Sequence, residues 1–451
     1  MKKLAYLALF ALLYAAEPTK QELIEQIGQL EKELTFLKSG IADTIDELSE
    51  RIDENEFEAS LNKIKWGGEL RVNNGNYYIK YNEKKYSNTN KWDMKVILNM
   101  NAHINEKTKF TGRLMMTKAW GSSVPLELSV VDPTQGRVNG DSHVFLERAY
   151  VDYHITPDLV VTLGRQSTSD GPGMNLKYDT RRKATYPALL FNGAADGIVL
   201  TYKLKNRKIP NLKFRLAYGK GYQWQDPQYG WLGENPGIKD TDVYGFFIEG
   251  SFKSDHLGRN LWILTAVKTD DLITNPFDTN ATTNQNLGDY EHYGVYFENL
   301  KTLDSKLNYF VSYAYCKPHG NGKTGVSDLN NDGVPDTAVK LLKKPGYAYQ
   351  LGFRYDKTRH WKYGYEYNFG SKYWFSFSTN LLDPVNKLAI RGFVHDFYIM
   401  YKMDLFQYVR IGYTLGRAKY NFIGMYYAVN GEPDAIDSTI RYIYAAYDVR
   451  F

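Results

Sequence analysis

Six charged side chains crowd a stretch of fourteen residues: Asp170, Lys177, Asp179, Arg181, Arg182 and Lys183, with Arg165 just upstream. Gly171, Pro172 and Gly173 kink the same stretch. Charges gathered on a compact loop set ion preference and size exclusion when that loop lies in a narrow aqueous passage. Arg181, Arg182 and Lys183 are the anion-favouring element, with Asp170 and Asp179 opposing or pairing with them. A second constellation is Asp328, Asn330, Asp332, Val334 and Asp336, with Gly333 at the sixth position. Oxygen donors at these offsets and a glycine for the sharp turn match the front half of a calcium loop, Val334 giving its carbonyl. Position twelve is Val339, so the usual bidentate acid is missing. A weak structural calcium site and a metal-free Asn/Asp/Gly turn both fit, and no other cofactor is required. Catalytic arrangements are not indicated: eight histidines are scattered, without a nucleophile elbow or zinc spacing. His395 and Asp396 are neighbours, and neighbouring strand residues point to opposite faces. The single cysteine, Cys316, excludes an internal disulfide and a cysteine-based metal cluster.

The elements that must carry these residues have period two from Ile64 onward. Trp92, Met94, Val96 and Leu98 alternate with Asp93, Lys95 and Asn99. Leu212, Phe214, Leu216 and Tyr218 alternate with Lys213 and Arg215, and Trp361, Tyr363, Tyr365 and Tyr367 with Lys362 and Glu366. Such strands carry charge on one face and aromatic bulk on the other. In a soluble sandwich the apolar face lies inside; in a transmembrane barrel it faces lipid. Tyrosine is abundant, 38 of 451 residues, although charged residues make up 24%. A barrel spreads this aromatic mass over an outer band with girdles at both interfaces.

The connections favour the barrel. Short links near 105–107, 156–158, 301–305 and 356–360 alternate with long ones near 74–91, 119–142, 166–189, 221–240, 271–288, 317–345, 370–390 and 418–438. Eight long loops predict about sixteen antiparallel strands; eighteen is the alternative if 420–429 hides a hairpin. The chain ends on an amphipathic strand with Ile443, Ala445, Tyr447, Val449 and Phe451 on one face and Asp448 and Arg450 on the other. Tyr447, Val449 and the terminal Phe451 resemble the signal read by the outer-membrane assembly machinery. With this alternation, Arg113, Arg148, Asp152, Arg215 and Glu366 belong to the wall of a water-filled lumen.

Ahead of the barrel, Lys2 and Lys3 precede an apolar run to Leu13 and then Ala15 and Ala16, the layout of a signal peptide over 1–16. Residues 17–62 form a periplasmic helical segment, and 63–451 the barrel. Leu23, Ile27, Leu30, Leu34, Leu37 and Ile41 make a heptad seam, which predicts a coiled coil of roughly 60 Å. An amphipathic helix lying on its own barrel is the other reading. Loss of Lys2 and Lys3 with the leader lowers the net charge from +5 to about +3, which gives no reason to expect nucleic acid as a partner.

Several runs resemble a family of uncharacterised outer-membrane proteins of sulfur- and hydrogen-metabolising bacteria that share a conserved domain of unknown function. They are Phe110-Thr111-Gly112-Arg113-Leu114, Leu146-Glu147-Arg148-Ala149-Tyr150-Val151-Asp152, Thr168-Ser169-Asp170-Gly171-Pro172, Thr185 to Phe191, and Leu216 to Tyr222. The likeness covers essentially the whole mature chain and implies a porin-like barrel with no assigned substrate. Its richest run coincides with the charged loop.

The sequence therefore predicts an outer-membrane porin, non-enzymatic and trimeric, passing small hydrophilic solutes or ions through a constriction at 166–189. Expected partners are outer-membrane lipid, the barrel assembly machinery and peptidoglycan, with the coiled coil in the periplasm. The alternative is a structural envelope protein whose barrel is plugged and whose helix tethers or oligomerises.

Overall fold

In the computed structural model the described residues are 20–61, 64–121, 141–167, 170–180, 182, 184–205, 211–223, 237–254, 258–274, 284–301, 306–327, 337–378, 385–421 and 429–451. The leader over 1–16, the calcium-like motif from Asp328 to Asp336, and Arg181 and Lys183 lie outside them. Two compact units meet between Ile64 and Lys65.

The first unit is one long helix, α1 (Lys20–Leu61). Ile27, Leu30, Leu34, Leu37 and Ile41 are all exposed along it.

The second unit is a closed barrel of sixteen antiparallel strands. Its first half holds β1 (Lys65–Tyr81), β2 (Lys84–His103), β3 (Thr108–Ala119), β4 (Asp141–Thr156), β5 (Leu159–Ser167), β7 (Ala194–Leu204), β8 (Leu212–Tyr222) and β9 (Thr241–Ser254). The second holds β10 (Gly258–Ile273), β11 (Asn286–Leu300), β12 (Leu307–Gly320), β15 (Gly346–Tyr355), β16 (Trp361–Gly370), β18 (Gly392–Lys402), β19 (Gln407–Tyr420) and β20 (Ala435–Arg450). Short extra strands occupy the long loops. β6 (Phe191–Asn192) pairs parallel with β17 (Phe377–Ser378), and β13 (Gly325–Ser327) pairs with β14 (Thr337–Val339). β20 closes on β1, with Glu69 opposite Arg450 and Tyr81 opposite Ser438. Closure satisfies the backbone hydrogen bonds of every barrel strand, the condition for crossing a hydrocarbon layer.

Two expectations are corrected. The segment 74–91 is not a long loop: β1 and β2 stay paired from Lys65↔Asn101 to Tyr81↔Lys84, with only Asn82 and Glu83 turning. Asn82 adopts the left-handed conformation such a turn needs. The eighteen-strand alternative also falls, because β19 pairs directly with β20.

Alternation sorts the side chains as the sequence reading requires. Leu216, Val295, Val311, Phe353, Phe397, Ile411 and Ile443 are exposed on the outer surface. Trp361, Tyr363 and Tyr401 cluster there at the short-turn end, with Trp361 4.7 Å from Tyr401, in the manner of an interfacial girdle. Inside, from β11 round to β20, the inward positions are buried. An apolar cluster that includes Met174, Leu189, Leu190, Tyr290, Leu341, Trp374, Phe375 and Leu388 packs against that wall.

Candidate lumen constriction

The loop from β5 to β7 turns into the barrel, and local backbone geometry sends it there. Asp170, Gly173 and Asp179 have positive φ, and at +86° Gly173 sits where side chains are disfavoured. The amide of Gly173 donates to the Tyr296 hydroxyl at 3.1 Å, and its carbonyl accepts from Gln350 Nε2 at 3.0 Å. The Ala188 amide donates to the Pro172 carbonyl at 3.0 Å, pinning the loop into a compact lobe. Lys177 is only 5% exposed and Leu176 3%, so the tip is enclosed by the barrel.

Each described charge of this lobe meets an opposite charge on the wall. Asp170 accepts from Arg113 Nη1 of β3 at 3.1 Å. Lys177 Nζ lies 2.5 Å from Asp396 Oδ2 of β18. Asp179 gathers Lys362 at 2.6 Å, Lys402 at 2.8 Å and Arg354 at 3.0 Å. Arg182 grips Glu249 of β9 through both terminal nitrogens, at 2.9 and 3.0 Å. Bidentate pairing of this kind fixes geometry as well as charge. Between Lys177 and Asp179, the Tyr178 ring lies between Arg71 and Arg410, each 4.6 Å from its centroid. Its carbonyl takes Arg450 Nη2 at 2.7 Å.

The expected wall residues fall in four places. Arg113 sits among Asp170, Glu147 at 3.8 Å and Glu69 at 3.9 Å. Arg148 is buried and pairs with Glu147 at 2.9 Å, while Glu147 also takes a very short hydrogen bond from Ser167. Arg215 joins Arg182 and Lys213 around Glu249. Asp152 is half-buried near the short-turn end and accepts from Thr162. Glu366 receives Lys387 Nζ at 2.5 Å. Arg165 does not join the constriction. It lies on the face of β5 that carries exposed Leu163, and it pairs outside with Asp196 at 2.9 Å. The cause is that β5 continues to Ser167, so residue 165 keeps the outward parity of residue 163.

His395 and Asp396 do point apart: His395 meets the Tyr365 hydroxyl, whereas Asp396 is buried on the lumen side between Lys177 and Lys387.

A second inserted segment between β16 and β18, described over 371–378 and 385–391, escapes the sequence reading. Lys387 reaches Glu366 and, at 2.8 Å, the same Asp396 that Lys177 holds. Trp374 Nε1 donates to the Leu388 carbonyl at 2.8 Å, and Ser376 Oγ to the Leu189 carbonyl at 2.7 Å. The two inserted loops are thus stitched together, also through β6 and β17. The available signal was the Tyr373-Trp374-Phe375 run, too apolar for a loop in water. Further out, Lys343, Lys372 and Tyr373 all hydrogen-bond Glu432, and they hold its carboxyl down at about 2.

The lumen is uneven. Beside the inserted lobe two cations keep contact with water, the Lys213 side chain of β8 at 31% exposed and that of Arg182 at 25%, whereas Lys95, Arg113, Arg148, Arg215 and Glu249 are buried. Three cations there surround one carboxylate, Glu249, which leaves a local excess of positive charge.

No curated protein matches the sequence. Among solved structures, OprB of Pseudomonas putida at high pH is similar at 12% identity, covering 87% of this chain and 96% of its own, with a TM-score of 0.49. The trimer form of Vibrio cholerae OmpT is similar at 10% identity, with 86% and 99% covered and a TM-score of 0.44. Salmonella typhi OmpF, in complex with daunomycin, is similar at 12% identity, with 86% and 97% covered and a TM-score of 0.44. A family model matches residues 85–448, and the chain belongs to that family, DUF3373, described as a protein of unknown function.

Proposed function

We propose that the protein is an outer-membrane channel for small hydrophilic solutes or ions, narrowed by the loop at 166–189. One observation carries this reading: four charges on the inserted lobe each meet an opposite charge on the barrel wall. Such a lobe is held at a fixed depth, as a size filter demands, and the part-exposed Lys213 and Arg182 side chains beside it support a water-filled passage there. The exposed apolar band and aromatic cluster on the outside support insertion in lipid. Tyr447, Val449 and Phe451 would be read by the assembly machinery. Excess positive charge around Glu249 favours anions. In planar bilayers the full-length protein should give stepwise currents and an anion-signed reversal potential in a salt gradient. Folded protein that passes no current would overturn the proposal.

A second reading, a plugged barrel with a structural role, draws on the buried sector from β11 to β20 and its apolar filling. The same bilayer measurement separates the two. In both readings the exposed stripe of α1 associates with copies of itself, as a trimer in the first, and peptidoglycan contact belongs to that segment. A calcium ion at Asp328 to Asp336 would brace a long loop, and equilibrium dialysis with calcium tests it directly.

A further inference from the structure

The lumen holds a cavity of about 160 Å³ between the inserted loop and the wall formed by β7–β11. It arises because inward positions of this wall carry little or no side chain: Gly197, Ala217, Gly219, Gly221 and Gly245 leave a bay where neighbouring wall is filled. Phe191, Phe247, Leu272 and Phe377 supply an apolar lining. One water needs roughly 10–15 Å³ on this scale, so the space suits a ring-sized molecule.

Polar atoms on one side of the cavity lack partners. Thr265 Oγ1, Thr269 Oγ1 and His292 Nδ1 are buried without a hydrogen bond among the described residues. They form a group by register: Val267 lies opposite His292, and the two threonines flank Val267 on the same face of β10. His292 Nε2 is 3.2 Å from the Phe375 carbonyl, which can only accept. Nε2 therefore carries the proton and Nδ1 is left as an acceptor. Other polar side chains on the lining are committed. Gln166 takes the Tyr186 hydroxyl, Thr241 donates to the Asp271 carbonyl, and Lys220 pairs with Asp240 and Asp242. Burying an unpaired polar group is costly, so three such atoms in one apolar bay mark where a ligand completes the bonding.

We propose that this bay binds a small uncharged molecule with a ring-sized apolar body and one hydroxyl or N–H group. The donor of the ligand goes to His292 Nδ1, and its oxygen or nitrogen accepts from a threonine hydroxyl. Charged solutes are disfavoured because the bay keeps no uncommitted counter-charge. The site is independent of conduction, since binding is read without a voltage.

The test uses full-length protein in detergent, with 4-fluorobenzyl alcohol and 4-fluorotoluene as probes followed by fluorine NMR. Heat-dependent gel migration verifies that each variant is a folded barrel. The alcohol should bind saturably. Val267→Phe, which fills the centre of the group, should abolish saturable binding of both probes. The isosteric double variant Thr265→Val/Thr269→Val should weaken the alcohol about tenfold and leave the toluene unchanged, one lost hydrogen bond. Absence of saturable alcohol binding, or binding that survives Val267→Phe, overturns the site. Equal effects of the double valine variant on both probes overturn the assigned polarity.

Discussion

Lys177 of the inserted loop and Asp396 of β18 meet at 2.5 Å deep inside the barrel, and Asp396 is also held by Lys387 from a different loop. One buried carboxylate therefore locks two inserted segments to the wall. Removing one partner of a buried pair leaves the other charged and unmatched. Asp396→Asn should cost about 3–5 kcal/mol of stability. Lys177→Met should cost less, because Lys387 still serves Asp396. Urea midpoints of the folded barrel in micelles check both, and an order reversed between the two variants would refute the shared lock.

In the proposed channel, Arg182 and Glu249 would bias the ion preference in opposite directions. Arg182→Gln should move the reversal potential toward cations, and Glu249→Gln should move it toward anions by releasing three cations from one carboxylate. The measurement is a bilayer recording in a tenfold salt gradient, a setting chosen for the experiment on the order of 59 mV for an ideal monovalent selector.

Gly173 sits at φ +86°, and a Cβ there would lie 2.9 Å from Gln350 Oε1. Gly173→Val should cost roughly 1–3 kcal/mol through backbone strain alone. Limited proteolysis should then cut within 170–180, where the parent protein, with Leu176 and Lys177 buried, should resist cleavage.

Glu432 gives the long loops an acid-sensitive clasp. Its carboxyl is lowered from 4.5 to about 2 by hydrogen bonds from Lys343, Lys372 and Tyr373. A depressed acid contributes fully above its unfolded value and loses that contribution as pH falls through the folded one. Hydrogen-exchange protection, relative to the intrinsic rate, should thus stay high at 340–343 and 429–434 down to about pH 4 and fall toward pH 2. Glu432→Gln should remove this pH dependence.

The exposed seam of α1 predicts one discrete crosslinked oligomer of the full-length protein. Leu34→Glu together with Leu37→Glu should abolish it without altering the barrel, as gel migration and crosslinking together report.

Much of the barrel was legible because one physical rule, apolar outside and polar inside, repeats in strand after strand. The same rule failed where its solvent changes. The segment 74–91 read as a long loop, yet β1 continues through Asn74, Gly75 and Asn76 because β2 and β20 hydrogen-bond it on both sides. Arg165, just upstream of the kinked loop, read as part of the constriction, although β5 runs two residues past it and pairs it with Asp196. The lobe itself was visible through its Gly-Pro-Gly kink and charges. Lys387 and Trp374 were not, because nothing local shows that a second loop turns inward; only packing against Leu189 and Asp396 decides it.

Arg450 touches the Tyr178 carbonyl, which joins the end of the chain to a loop made far earlier. Contacts of such sequence separation cannot form until the last barrel strands have been made. The lobe must therefore wait, charged and unseated, until β16 to β20 arrive with Lys362, Asp396, Arg410 and Arg450. Seating the lobe and sealing the wall become a single late event, so a chain without β20 would lose both at once.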